Sequence, residues 1–168
     1  IETVDINVNG TVNLLNSCVK FKKKIMVASS SEVYGTCQTE MISETHPLDG
    51  QSPYAATKIA ADRLAKAYHD TFGLEVLIIR NFNVFGEYQK DDSYGSVIAK
   101  FTNAALKNEP LRVYGSGEQE RDYMHVSDAV RMYDFCRDIK EYGKPINMGT
   151  GKTIKINDLA QKIIDYTE

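Results

Sequence analysis

Ser52-Pro53-Tyr54-Ala55-Ala56-Thr57-Lys58 opens a segment that closes at Gly73 and runs on into Val76-Leu77-Ile78-Ile79. Serine is a preferred helix N-cap, proline is tolerated in a first turn, and glycine commonly follows a helix end. The segment therefore predicts a helix over 53–72 that feeds a strand of the fully buried type. Upstream the same alternation recurs. Val4, Val8, Val12, Leu15 and Val19 have helical spacing, and the helix they predict, about Thr3 to Phe21, leads to the apolar run Ile25-Met26-Val27-Ala28 ending at Ser30. Helix, strand, helix, strand is the signature of a right-handed parallel crossover, so residues to about Arg80 read as half of a doubly wound sheet. On the second helix, Ala56, Ala60 and Leu64 are expected to pack, with Tyr54, Lys58 and Asp62 on another face.

This arrangement carries chemistry. Tyr54 and Lys58 stand one turn apart, and Ser30 ends a strand at the carboxyl side, where open parallel sheets bind ligands. A free phenol titrates near ~10, so use as a base near neutrality needs a fall of about three units. A neighbouring ammonium supplies part of that fall, and a serine hydroxyl can bond both the phenolate and a substrate alcohol. An isolated Tyr-x-x-x-Lys pair reads as a solvated i,i+4 contact. The surrounding caps, strands and serine favour the chemical reading.

After Gly86 the character changes, and one domain boundary is expected there, between residues 1–86 and 87–168. A polar loop, Glu87 to Ser93, leads to a helix carrying Val97, Ile98, Phe101 and Ala105 that stops at Asn108-Glu109-Pro110. Short strands are expected at Leu111-Arg112-Val113-Tyr114 and at 122–126, joined through Gly115-Ser116-Gly117. Ser127 can cap a further helix with Val130, Tyr133 and Cys136 inward. Pro145-Ile146-Asn147-Met148 reads as a strand, and Asn157 as the cap of a last helix carrying Leu159, Ile163 and Ile164. The connection from Gly35 to Gln51 is longer than most, which makes it a candidate lid or site wall.

Composition excludes several classes. The net charge of −3 argues against a phosphate-backbone surface, so no nucleic-acid partner is expected. The basic run Lys20 to Lys24 reads as a solvated helix end. Three cysteines, an odd number with no C-x-x-C, favour reduced thiols in a cytoplasmic protein and no metal. No apolar stretch approaches the ~20 residues of a membrane span, so no membrane partner is expected. Gly149-Thr150-Gly151-Lys152-Thr153 looks like the end of a P-loop, but the required earlier glycine is Ile146. Neither Gly-x-Gly-x-x-Gly nor Gly-x-x-Gly-x-x-Gly occurs.

Four ordered motifs carry a resemblance: Ala28-Ser29-Ser30-Ser31-Glu32-Val33-Tyr34-Gly35, Ser52 to Lys58, Arg80-Asn81-Phe82-Asn83-Val84-Phe85-Gly86, and Tyr114 to Tyr123 with Arg121-Asp122. With Asn7-Val8-Asn9-Gly10-Thr11, they resemble the extended short-chain dehydrogenase/reductases, the NAD-dependent nucleotide-sugar epimerases, dehydratases and decarboxylases. The resemblance implies an α/β fold, a partial Rossmann-like doubly wound parallel sheet with a small α+β substrate-binding portion. It also implies a central slice of a longer enzyme, with the glycine-rich turn upstream. NAD is the implied cofactor, a nucleotide-diphosphate sugar the implied partner, and a homodimer the implied assembly.

Carried over by position, Tyr54 resembles the base that takes the proton of the sugar C4 hydroxyl. Lys58 resembles the residue that binds the nicotinamide ribose and acidifies the tyrosine, and Ser30 the group bonding the C4 oxygen. Asn7 matches a structural and proton-relay asparagine, Asn81 a cofactor contact, and Asn83 and Arg121 contacts to the diphosphate, although Arg121 could instead pair with Glu118 or Asp122. Glu32 resembles the dehydratase glutamate that removes the C5 proton. Many sugar 4,6-dehydratases carry an aspartate acid just before it, where this chain has Ser31. A 4,6-dehydratase is therefore the leading expectation, with a C4 epimerase, a UDP-glucuronate decarboxylase and a non-catalytic remnant as alternatives.

Overall fold

The computed structural model describes residues 2–39, 41–90 and 96–167. Residues 91–93 of the expected polar loop lie outside the described residues. In chain order the elements are α1 (Glu2–Val4), a π turn (Asp5–Asn9), α2 (Gly10–Phe21), β1 (Ile25–Ser30), a 3-10 turn (Ser31–Tyr34), α3 (Pro53–Phe72), β2 (Val76–Asn81), β3 (Asn83–Phe85), α4 (Val97–Leu106), β4 (Glu120–His125), α5 (Val126–Cys136), β5 (Pro145–Met148), β6 (Thr153–Lys155) and α6 (Ile156–Thr167). They form two compact units, Ile1–Phe82 with Met132–Met148, and Asn83–Arg131 with Gly149–Glu168.

In the first unit the strands run parallel in the order β1-β2-β5. Every residue of β2 from Val76 to Arg80 is buried, as a strand covered on both faces requires. Leu15, Val27, Ala65, Leu74, Val76 and Ile78 form one cluster between the sheet and the helices. Ser52 accepts from the amide of Ala55 at 3.0 Å, and Gly73 closes α3 in the left-handed region at φ 64°, so the predicted helix has its predicted ends.

The expected faces of the first helix and of α3 need correction. The π turn inserts an extra residue into the first helix and rotates the later face, so Leu15 is fully buried while Val4 is exposed. On α3, Ala55, Thr57, Ala61, Asp62 and Ala65 are buried, whereas Ala56 is exposed. Asp62 is therefore an interior residue, because Arg80 receives it there.

The second unit holds a mixed sheet of order β3-β4-β6, with β3 parallel and β6 antiparallel to β4. Phe101 of α4 packs with Ile156, Leu159 and Ala160 of α6. Leu111 and Val113 join that cluster from a segment without ladder partners, so residues 111–114 are not the expected strand. Asn157 lies inside α6, and its amide donates to Ser116 O and Glu118 Oε1 rather than capping. On α5, Ala129 and Cys136 are buried while Val130 is exposed.

The division also differs from one boundary after Gly86. It falls after Phe82, and residues 132–148 return to the first unit because β5 pairs in parallel with β2.

Candidate active site

A parallel crossover helix starts at the carboxyl end of the strand before it, so the N-terminus of α3 and the last residue of β1 share one edge of the sheet. Tyr54 is the second residue of α3, with 45% of its surface exposed, and Ser30 ends β1. Lys58 Nζ donates to the carbonyl oxygen of Ala28, two residues before Ser30, at 2.6 Å, and stands 5.9 Å from the Tyr54 ring centroid. Burial pushes the Lys58 ammonium below the usual lysine value. The tyrosine, lysine and serine singled out in the sequence thus belong to two elements joined by a direct bond.

Ser30 Oγ accepts from the amide of Glu32 at 3.2 Å, which caps the 3-10 turn and leaves the hydroxyl hydrogen to donate elsewhere. Ser31 is half-buried and Glu32 exposed on that turn. Asn7, in the π turn, donates to Thr57 Oγ1 at 3.0 Å, and Thr57 Oγ1 donates to Tyr54 O at 2.7 Å. Asn7 therefore fastens the first helix to the turn bearing Tyr54. Asn81 donates to Ser29 O at 3.1 Å and bonds the Tyr133 hydroxyl at 2.9 Å, so its side chain braces the end of β2.

A buried polar network behind this edge had no distinct signal in the sequence. Arg80 grips Asp62 with two bonds, Nε to Oδ2 at 2.8 Å and Nη2 to Oδ1 at 3.1 Å. Its Nη1 donates to the Tyr34 hydroxyl at 2.9 Å and to Glu44 O at 3.0 Å. Tyr34 donates in turn to Asn147 Oδ1, and Ser29 Oγ donates to Asp62 Oδ2 at 3.1 Å. Burial works against the charge on Arg80, but the bonds from Asp62 and Tyr34 outweigh it and hold the guanidinium above its ordinary value. Burial also raises the Tyr34 phenol, although Arg80 partly offsets it. The expected loop over 35–51 is pinned by the same network, through Glu44 O and through Ile42 O, which accepts from Asn147 Nδ2 at 2.9 Å.

In the second unit, Asn83 Nδ2 donates to Asp122 O at 2.9 Å. Arg121 is exposed and donates to Glu120 O, not to Glu118 or Asp122. Glu118 pairs with Lys155 at 2.8 Å. The Asp122 carboxylate receives the amides of Thr150 and Gly151, each at 2.8 Å, and the Thr150 hydroxyl at 2.6 Å. That carboxylate holds the Gly149–Gly151 turn, the segment whose sequence lacks the earlier glycine of a P-loop. An open cavity of about 330 Å³ in this unit is lined by Phe85, Gln89, Ile98, Thr102, Asn103 and His125 among others. Among the described residues, no helix is long and apolar enough to cross a membrane.

Comparison with known proteins accords with this geometry. A UDP-N-acetyl-alpha-D-glucosaminuronate decarboxylase of Bacillus cytotoxicus is 38% identical over 99% of this chain and 53% of its own length. A dTDP-D-glucose 4,6-dehydratase of Dictyostelium discoideum is 32% identical over 99% of this chain and 41% of its own. The chain thus spans about half the length of the curated relatives it matches. A crystal structure of the dTDP-glucose 4,6-dehydratase of Bacillus anthracis in complex with NAD superposes with a TM-score of 0.90 at 33% identity, covering 96% of this chain and 52% of that one. Residues 1–149 match the model of the NAD dependent epimerase/dehydratase family. With the motifs in order, the parallel sheet, and the Lys58 bond at its carboxyl edge, the chain belongs to that family.

Proposed function

We propose that this chain carries the catalytic residues of an NAD-dependent nucleotide-sugar 4,6-dehydratase. The observation that carries the reading is the bond from Lys58 to Ala28 O, which keeps an ammonium between Tyr54 and the strand of Ser30. The donor set suits the ribose end of a dinucleotide: Lys58 has three N–H donors and spends one on Ala28 O, and Tyr54 is half-exposed. NAD, when bound, would supply the acceptor for the hydride of C4 and return it later.

The chain's own groups would handle the protons. Tyr54 takes the proton of the C4 hydroxyl, favoured as phenolate by the adjacent positive charge, while Ser30 donates to the C4 oxygen. Once C4 is a ketone the C5 proton is acidic, and Glu32, exposed on its turn, removes it as hydroxide leaves C6 with a proton as water. Ser31 lies beside Glu32 at the position where a leaving-group acid would act. In the second unit, Asn83 and Arg121 are assigned to the diphosphate, a role suited to a guanidinium fork.

Product mass tests the reading. The full polypeptide carrying this chain is given candidate nucleotide sugars with NAD. Loss of water supports a dehydratase, and no net change in mass identifies an epimerase. Loss of carbon dioxide identifies a decarboxylase, the second reading, which the 38% identity to the Bacillus cytotoxicus enzyme favours.

A homodimer is also proposed, through α2 and α3. Leu14, Phe21 and Phe72 are exposed large apolar residues on these helices, and Ala56 and Ala67 give α3 a small-residue surface. Sedimentation of Leu14→Asp as a monomer would support it, and an unchanged dimer would oppose it. The free cysteines Cys18, Cys37 and Cys136 suit a cytoplasmic setting.

A further inference from the structure

We infer that Arg80 is a positioning residue that sets the helix of Tyr54 and Lys58 and the turn of Glu32 in register with one another. The inference rests on the roles proposed above for those residues and adds how they are held. Arg80 comes from the central strand, is 2% exposed, and divides its guanidinium between two elements. Nε and Nη2 hold Asp62, one helical turn beyond Lys58 on α3. Nη1 holds the hydroxyl of Tyr34, which ends the turn bearing Glu32. Asp62 also receives Ser29, the neighbour of Ser30 on β1.

A guanidinium is planar, so its two edges cannot be re-aimed independently. A shift of α3 is therefore passed to the turn through one rigid group. An ammonium at this position would satisfy the charge of Asp62 without fixing the angle between the two bonds. The other hydrogen bonds of the turn are local: Glu32 N donates to Ser30 Oγ, Gly35 N to Glu32 O, and Asp49 N to Val33 O. The Tyr34 hydroxyl thus links this turn to β2 through Arg80 and to β5 through Asn147.

The test uses Tyr34→Phe and Arg80→Lys in the full polypeptide carrying this chain. Tyr34→Phe keeps the buried ring and removes both bonds of its hydroxyl, the one from Arg80 and the one to Asn147, whereas Arg80→Lys leaves the Asn147 bond in place. Amide hydrogen exchange is read at Glu32, Gly35 and Asp49 for the turn, and at residues 58–65 for α3. The expected result for Tyr34→Phe is exchange at least about tenfold faster in the turn with α3 unchanged, and kcat at least about tenfold lower with KM for the nucleotide sugar nearly constant. Arg80→Lys should loosen both regions. Unchanged exchange in the turn, or a uniform rise across the whole first unit, would overturn the inference by showing no specific link. If the wild type releases no water from any nucleotide sugar, the dehydratase reading fails, while the exchange data still judge Arg80.

Discussion

Lys58 Nζ donates to the carbonyl oxygen of Ala28 at 2.6 Å, and this bond ties the helix of Tyr54 to the strand that ends in Ser30. A lysine so placed is neither a surface charge nor a buried ion pair. It keeps a proton-bearing group at the sheet edge while its other donors stay available.

Replacing Tyr54 with phenylalanine should lower kcat by more than about 100-fold, the range for removing a positioned acid–base group. Calorimetric affinity for the nucleotide sugar should change little. Retained turnover would defeat the role assigned to Tyr54.

Because burial lowers the Lys58 pKa, the ammonium is lost on raising the pH before an ordinary lysine would lose it. The rate should therefore fall on an alkaline limb lying below the free-lysine value of 10.5. Lys58→Arg should move that limb upward, whatever it costs in kcat. A pH profile of kcat for both proteins reads the outcome, and coincident limbs would count against Lys58.

Asp62→Ala strands the Arg80 guanidinium in the interior, since the two side chains are each only 2% exposed. Breaking one partner of such a pair costs roughly 3–5 kcal/mol. Urea midpoints should fall accordingly for Asp62→Ala and by less for Asp62→Asn, which keeps an acceptor for Arg80.

Tyr34 supplies a stability effect at high pH. Its folded pKa is raised above 10.0, so the unfolded chain ionises first as the pH climbs. The stabilising contribution is complete below that value and is lost as pH rises towards the folded pKa. Thermal melting of the wild type should decline more steeply above pH 10 than that of Tyr34→Phe; parallel declines would exclude Tyr34 as a source.

Local signals in the sequence made much of the first unit legible. The ends of α3 follow from Ser52, Pro53 and Gly73, and β1, β2 and β5 from short apolar runs. The buried ion pair was not legible, because spacing placed Asp62 on the face of Tyr54 and Lys58 and gave Arg80 no partner, and only the fold brings the two together. The three-residue strands β3 and β6 are too short to leave a periodic pattern, and both depend on β4 for their ladder. The return of residues 132–148 to the first unit depends on a pairing between distant segments, which spacing does not encode. Asn7, Asn81 and Asn83 were singled out, but the bonds they make to Thr57, Ser29 and Asp122 became visible only in three dimensions.

The late arrival of β5 has a consequence for biosynthesis. A ribosome delivers β1 and β2 early, then must extrude β3, α4 and β4 before the third strand of the first sheet exists. Until then one side of β2 offers bare backbone groups to any neighbouring chain. Nascent polypeptides stalled short of Pro145 should accordingly be sticky, and those stalled after Met148 should be protected from that self-association.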